Sequence, residues 1–505
     1  MRRWNSRVMK VAPVVASAAL MLAACGGGNS NSSVAQQPAA LAAAAPDSSA
    51  AAPAAPAPAQ AAPAADGVAP AAVPAAKAAP VAKTTKAIKA GPVTKSAKAS
   101  EENNSAENQK IYEQKNGATD LGVTKDSIHL GTVNMHGMAL GNVLVGPQVR
   151  GNLATASAIN DRGGVLGRRI NITDCDDGPG EVARAKACIK KLVGQDQIFA
   201  MVTGVDWATA SIHDDLKQYH LPYVGAWAYS QTEWQDPFMF PSHMSMIHEA
   251  MAGAHWAANV IHPKTYGLVC LTSPEMQLAC NQVQKIMDAT GSKMVKRADV
   301  SISETSMSAY VLAMRAANPD HIIHYVINPA TMAKFMVEAA QQGYYPPKGI
   351  SGNHLAAEVL GSIFGKWPTG RYWTNTTYKL WGPEFMSTMS KYARGNRGTN
   401  HHIVQSTYVG ALIFEKTAKA IGPNLTRERL MAQWDNGEVY TSDASLDQRF
   451  AYTATERGND NWNHNYGQGR EFMYKYDSTN TVANPDGSPS GFTPDPNQFV
   501  IYTWK

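Results

Sequence analysis

Residues 127–174 read SIHLGTVNMHGMALGNVLVGPQVRGNLATASAINDRGGVLGRRINITD. The opening run, 127–134, is short and rich in β-branched and apolar residues, which predicts a strand. The stretch 148–161 carries its apolar residues at helical spacing and stops at Gly163-Gly164, a pair suited to ending a helix. A second strand is predicted at 169–174. Strand, helix and strand joined by short turns form a unit whose two strands lie parallel, because the intervening helix must cross one face of the sheet.

The same alternation continues on the C-terminal side. A helix is predicted where Val182, Ala185, Ile189 and Leu192 recur at a spacing of three to four. A strand at 198–203, a helix at 208–218 and a strand at 222–225 complete a first α/β unit. The cycle then restarts, with helices predicted at 246–260, 276–289, 306–317 and 330–342. Strands alternate with them at 265–271, 294–300, 321–327, 349–352 and 371–374. Late helices are predicted at 403–421 and 427–434, and short strands at 471–476 and 499–504. The reading is two successive α/β units of similar size with shared late elements.

On the N-terminal side the character changes. Arg2, Arg3, Arg7 and Lys10 precede an apolar run from Val11 to Ala24, the arrangement of a secretory signal at 1–24. That run is too short to span a bilayer, which takes roughly 20 apolar residues. Leu22-Ala23-Ala24-Cys25-Gly26 resembles a bacterial lipobox, which implies cleavage before Cys25, lipid on its sulfur and attachment to a membrane surface. Residues 25–118 form the lipidated cysteine and an Ala/Pro-rich tether with too few large apolar residues to order itself. The expected location is extracytoplasmic, in the periplasm or at the cell surface.

The formal charge of +5 is a sum of unlike parts. The leader carries four positive charges and residues 25–100 a net four more, so the remainder is slightly acidic. Nothing in that balance argues for a nucleic-acid partner, which would want a basic face. After Cys25 the cysteines fall in two close pairs, Cys175 with Cys188 and Cys270 with Cys280. In an exported chain close pairs read as disulfides, the alternative being free buried thiols.

Several motifs in order resemble the branched-chain amino-acid-binding family of type I periplasmic binding proteins. They are Ile128-His129-Leu130-Gly131, Arg150-Gly151, Ala158-Ile159-Asn160, the run from Gly163 to Ile170, and Asp174 to Asp177. Asn318-Pro319-Asp320-His321-Ile322-Ile323 resembles the family's strand entry in its second lobe, and 405–421 its late crossover helix. The resemblance covers about residues 122–450. It implies two doubly wound, Rossmann-like lobes joined by hinge crossovers. Lobe 1 would comprise 119–248 and 376–452, and lobe 2 would comprise 249–375 and 453–505. It further implies a small-molecule ligand, an ABC permease as partner, a monomer, and no catalysis.

Ligands of such folds sit beyond the carboxyl ends of strands. The expected contacts are therefore His136, Asp206, Trp207, Thr209, Ala226, Trp227 and Tyr229 in the first lobe, with Asn328 and His354 in the second. The resemblance implies hydroxyls and backbone N–H groups after strands three and four. This chain has Asp206, Trp207, Trp227 and Tyr229 there instead, which suits a larger, flatter or more apolar ligand, aromatic or carboxylate-bearing. The competing reading packs these aromatics on the lobe surface.

Asp174, Asp176 and Asp177 lack calcium-loop spacing and read as a solvated turn. His401-His402 has no third ligand at useful spacing, so neither metal nor cofactor is expected. Enzyme motifs fail: His248-Glu249 begins an H-E-x-x-H pattern, but position 252 is Ala, and Gly361 to Lys366 has the wrong spacing for a phosphate loop. The leading reading is solute capture for an ABC importer. A ligand-sensing surface lipoprotein, or an extracellular enzyme on the same scaffold, are the rivals.

Overall fold

The computed structural model describes residues 117–137, 141–204, 209–226, 233, 236–243, 246–301, 303–325, 329–353, 366–378, 382–393, 401–436, 438–440, 449–451, 469–479 and 491–502. The expected signal, Cys25 and most of the tether lie outside them.

The chain runs β1 (Ser127–Asn134), α1 (Gly141–Asp161), β2 (Arg169–Asp176), α2 (Val182–Gly194) and β3 (Ala200–Val202). A 3-10 turn (Thr209–Ile212), α3 (His213–Tyr219), β4 (Tyr223–Val224) and β5 (Met239–Phe240) follow. It continues with α4 (Met246–Trp256), β6 (Thr265–Leu271), α5 (Pro274–Ala289), β7 (Lys293–Val300), α6 (Ser308–Ala317) and β8 (His321–Tyr325). Then come α7 (Pro329–Gln341), β9 (Ile350–Asn353) and β10 (Tyr372–Thr376). The last elements are α8 (Pro383–Tyr392), α9 (His401–Ile421), α10 (Arg427–Asn436), β11 (Glu438–Tyr440), β12 (Arg449–Ala451), β13 (Gly469–Tyr476) and β14 (Phe492–Tyr502).

Strands β1–β5 form one parallel sheet in the order β2-β1-β3-β4-β5. The second sheet contains β7-β6-β8-β9-β10, all parallel, extended by β13 and β14, which run antiparallel. Counted from its own first strand, the parallel part repeats the 2-1-3-4-5 order of the first sheet. This is the doubly wound two-lobe architecture that the α/β alternation predicts. The antiparallel β13–β14 pair is what the turn-rich C-terminal stretch becomes: an extension of the second sheet on its β10 edge.

Both faces of the first sheet are covered, and strand alternation sorts the side chains. Ala200 and Val202 join the core with α1, α8, α9 and α10, whereas Ile198 and Met201 join the core with α2 and α3. The late helices therefore return to the first lobe after the chain has built the second sheet. Trp434 is fully buried there, its indole N–H donating to Thr417 at 2.8 Å. Two buried arginines close the amino end of this sheet. Arg427 donates to the carbonyls of Ile198, Phe199 and Tyr219 at 2.7–2.8 Å, and Arg168 to those of Gly117, Thr124 and Pro423 at 2.6–3.0 Å.

Element boundaries depart from the sequence reading in instructive ways. Helix α1 begins at Gly141 and carries Pro147 inside it, so the Val143 carbonyl goes without the intrahelical bond that residue 147 would otherwise give. Val182, placed on the buried stripe of α2, is half exposed, and Cys188 takes its place. Strand β5 and helix α8 were not anticipated. The turn after α1 needs its glycine: Gly164 has φ +67°, and a Cβ there would lie 2.1 Å from the Arg168 carbonyl oxygen.

Both cysteine pairs are bridged. Cys175 on β2 joins Cys188 on α2, and Cys270 on β6 joins Cys280 on α5. Each staples a strand to the helix that follows it.

Candidate functional site

The carboxyl ends of the parallel strands define one edge of each sheet, and crossover loops leave the buried polar ends of strands exposed to whatever lies beyond. At the β1–β2 end, Asn134 is buried and donates to Asp174 at 2.6 Å and to Thr132 at 3.1 Å. His136 Nε2 meets Asp174 Oδ2 at 2.6 Å, and the His136 backbone N–H donates to Asp176 at 3.1 Å. His136, an expected contact, is thus held over β2, about a quarter exposed. Asp176 is exposed, but Asp177 is fully buried, so the three aspartates are not the uniformly solvated turn inferred from sequence.

The β3–β4 end is tighter. Thr203, the residue after β3, is fully buried, and its carbonyl accepts from Thr132 Oγ1 at 3.0 Å and Asn152 Nδ2 at 2.8 Å. Gly225, with φ +75°, lies so close that a Cβ would stand 2.1 Å from Thr203 Oγ1 and 2.9 Å from the Gly410 Cα. Helix α9 therefore abuts the strand edge through Gly410. Ala226, another expected contact, is fully buried in the core with Met201 and Met239. Thr209 opens the 3-10 turn. Asp206, Trp207, Trp227, Tyr229, Asn328 and His354 fall outside the described residues, as do the side chains of His401 and His402. The described residues therefore place His136 and Ala226 at two different strand ends.

Two crossovers connect the lobes here, 241–245 from β5 to α4 and 377–382 from β10 to α8. They are tied to each other. Tyr378 donates its hydroxyl to the Ser242 carbonyl at 2.6 Å, and its ring meets that of His243 edge-on at 5.7 Å. His243 Nε2 contacts Glu249 Oε1 at 3.2 Å. Burial pushes the Glu249 carboxyl well above the usual range and the neighbouring His248 imidazole well below it. The Glu249 carbonyl accepts from Asn375 at 3.0 Å and Tyr325 at 3.5 Å. Gly253, one turn along α4, makes room for the Tyr325 hydroxyl, which a Cβ would meet at 1.6 Å. None of these hinge residues was singled out from sequence as a connection. Their signal was slight: His248-Glu249 drew notice only as a failed metal motif.

Strand β8 carries two further buried imidazoles. His321 Nδ1 lies 3.0 Å from the Lys348 carbonyl and Nε2 3.0 Å from Ser351 Oγ. Since a carbonyl only accepts, Nδ1 carries the proton and Nε2 accepts from the serine. Burial lowers His321 to about 4 and His324, packed against Phe335, to about 3. Both are neutral at ordinary pH.

An open depression of about 720 Å³ is lined by His213, Asp214, Lys217, Gln218, His220, Pro237 and Phe238. Phe238 precedes β5, so this depression is at the amino end of that strand, the wrong edge for a ligand of an open α/β sheet. Among the described residues, no group of three His, Cys, Asp or Glu side chains is disposed to hold a metal ion. No helix among them is long and apolar enough to cross a membrane.

Residues 144–464 match a family model described as periplasmic binding protein. No curated protein sequence matches the chain. Among solved structures, a fatty acid ABC transporter substrate-binding protein from Thermomonospora curvata superposes with a TM-score of 0.60 at 15% identity, covering 75% of this chain and 94% of that one. A solute-binding protein of an ABC transporter from Rhodopseudomonas palustris BisB5, in complex with 3,4-dihydroxybenzoic acid, gives 0.58 at 16%, covering 75% and 97%. The branched-chain amino acid transporter substrate-binding protein LivJ from Streptococcus pneumoniae, in complex with isoleucine, gives 0.57 at 14%, covering 75% and 100%.

Proposed function

The chain belongs to the periplasmic binding protein family, and from that premise we propose that it is an extracytoplasmic solute-binding lipoprotein that captures a small organic molecule between its lobes for an ABC importer. The observation that carries this reading is the pair of 2-1-3-4-5 sheets joined by crossovers that lock onto each other through Tyr378 and Ser242. Two open α/β edges on a shared hinge suit capture by closure: a ligand that touches both lobes binds the closed form better and shifts the equilibrium toward it. The hinge needs no bond making or breaking, and the protein acts without catalysis, metal or cofactor.

Trp207, Trp227 and Tyr229 are proposed as apolar walls, with His136, Asp206, Thr209, Ala226, Asn328 and His354 around them. Such a pocket favours an aromatic or extended apolar carboxylate over a branched-chain amino acid. Of the similar structures, one holds a solute of the favoured kind, 3,4-dihydroxybenzoic acid, and another holds the disfavoured kind, isoleucine. Cys25 would hold the mature chain on the membrane through its lipid, and the Ala/Pro-rich tether would let the lobes reach the permease.

The test is isothermal titration of the full chain with 4-hydroxybenzoate, palmitate and isoleucine, alongside native mass spectrometry of the freshly purified protein. Binding of one of these at micromolar affinity, or a discrete small mass released on unfolding, is expected. A bare chain that binds none of the three refutes the reading. A Cys25→Ala chain is expected in the soluble fraction; its continued membrane attachment would refute the lipid anchor alone.

A further inference from the structure

Helix α1 presents Gln148 and Asn152 on one face, four residues apart. Both are fully buried. Asn152 spends its Nδ2 on the Thr203 carbonyl, but its Oδ1 has no partner, and neither Nε2 nor Oε1 of Gln148 has one. Buried side-chain amides are nearly always matched, so three open positions on neighbouring amides call for an explanation.

Their place in the fold supplies it. Thr132 on β1 and Asn152 both meet the Thr203 carbonyl just past β3. β1 and β3 are the strands between which the order 2-1-3-4-5 reverses direction, the switch point at which open sheets take their ligands. Helix α1 leaves the carboxyl end of β1, so its earlier residues stand farther beyond the strand edge. Gln148 stands about 6 Å farther out than Asn152 along the helix axis.

We propose that Gln148 and Asn152 form a neutral amide subsite that receives a hydroxyl group of the bound solute. The inference rests on the solute-binding reading above and narrows it. The subsite offers the Gln148 amide nitrogen with its two N–H donors, and two acceptors, the Gln148 and Asn152 carbonyl oxygens. A hydroxyl donates to an acceptor and accepts from a donor. A carboxylate only accepts, so it would leave both carbonyl oxygens unpaired. An ammonium would find no counter-charge on this face, since Arg150 and Asp161 are the only charged residues of the helix. The solute's hydroxyl would sit at the end away from its carboxylate.

The test compares 4-hydroxybenzoate with benzoate by isothermal titration, in the full chain and in Gln148→Leu and Gln148→Met variants. Two apolar replacements of similar length guard against one that fails to fold. The wild type is expected to prefer the hydroxylated probe at least about tenfold, a ratio set by leaving buried amides unpaired. Either variant should bring the ratio close to one. An unchanged ratio in the variants, no preference in the wild type, or binding of neither probe overturns the subsite. A chain that binds both probes equally, or binds only palmitate or isoleucine, keeps the solute-binding function and loses the subsite, so the two failures are distinguishable. A crystal structure with only ordered water on the three amide atoms while 4-hydroxybenzoate is bound elsewhere would also overturn it.

Discussion

Acidification should destabilise the second lobe in part through the two imidazoles of β8, and one substitution removes one of these two contributions. His321 and His324 are both fully buried on β8, lowered to about 4 and about 3. In the unfolded chain each titrates near about 6.5. The folded values lie below the unfolded ones, so below about pH 6.5 the unfolded chain binds the extra protons and gains. The stability these groups contribute is complete at neutral pH and is lost as pH falls through 6.5 toward the folded values. Between about pH 7 and about pH 5 each imidazole should cost about 2 kcal/mol, roughly 4 kcal/mol for the pair, with a limiting slope of about 1.4 kcal/mol per pH unit per proton. His324→Phe removes one of the two titrations, and its ring stays beside Phe335. The assay is urea unfolding followed by tryptophan fluorescence, which reports this lobe through the buried Trp256 and Trp373. Wild type should lose about 2 kcal/mol more than the variant between about pH 7 and about pH 5, whatever the variant's stability at neutral pH. Equal pH slopes in the two proteins would refute the reasoning, because they would mean that His324 takes up its proton in the folded state.

Other perturbations have equally direct readouts. Replacing Cys175 and Cys188 together by alanine opens a bridge across 13 residues and should cost about 3 kcal/mol in the chain-entropy model, read as a lower melting temperature. Gly253→Ala puts a methyl where the Tyr325 hydroxyl stands and should cost about 1–3 kcal/mol by overpacking; wild-type stability in this variant would show that the site relaxes freely. Arg427→Met strands two buried carbonyls, those of Ile198 and Phe199, and the part-buried one of Tyr219 at the amino end of the first sheet and should cost at least about 2 kcal/mol, measured by denaturant titration.

Much of the scaffold is visible in local sequence because its causes are local. The run 127–134 reads as a strand from its own composition, Gly163-Gly164 ends a helix by backbone freedom, and the cysteines pair because each is only 13 or 10 residues from its mate. Buried parallel strands are near-continuous apolar runs, so 198–203, 265–271 and 321–327 stand out without any partner in view. Where the reading missed, the cause was short length or distant neighbours. Strand β5 is two residues long and carries no period of its own. Strand β14 is longer than its sequence suggests, Phe492–Tyr502 rather than 499–504, because pairing with β13 draws in a segment whose prolines argue against a strand.

The candidate site divides in the same way. That the expected ligand contacts cluster at the ends of strands β1, β3 and β4 follows from the order of elements, and that order is written in the chain. The seating of Asn152 on the Thr203 carbonyl, 51 residues away, is not. Neither is the tie between Ser242 and Tyr378, 136 residues apart, nor the approach of Gly410 to Gly225 that presses α9 onto the strand edge. Local propensity and hydrophobic period are properties of a window of residues, and they dictate two α/β units and two short disulfide loops. The hinge, the buried amides and the neutral imidazoles exist only once distant segments meet. What makes them consequential, a polar group removed from water with or without a partner, is a property of the assembled fold and of no segment in it.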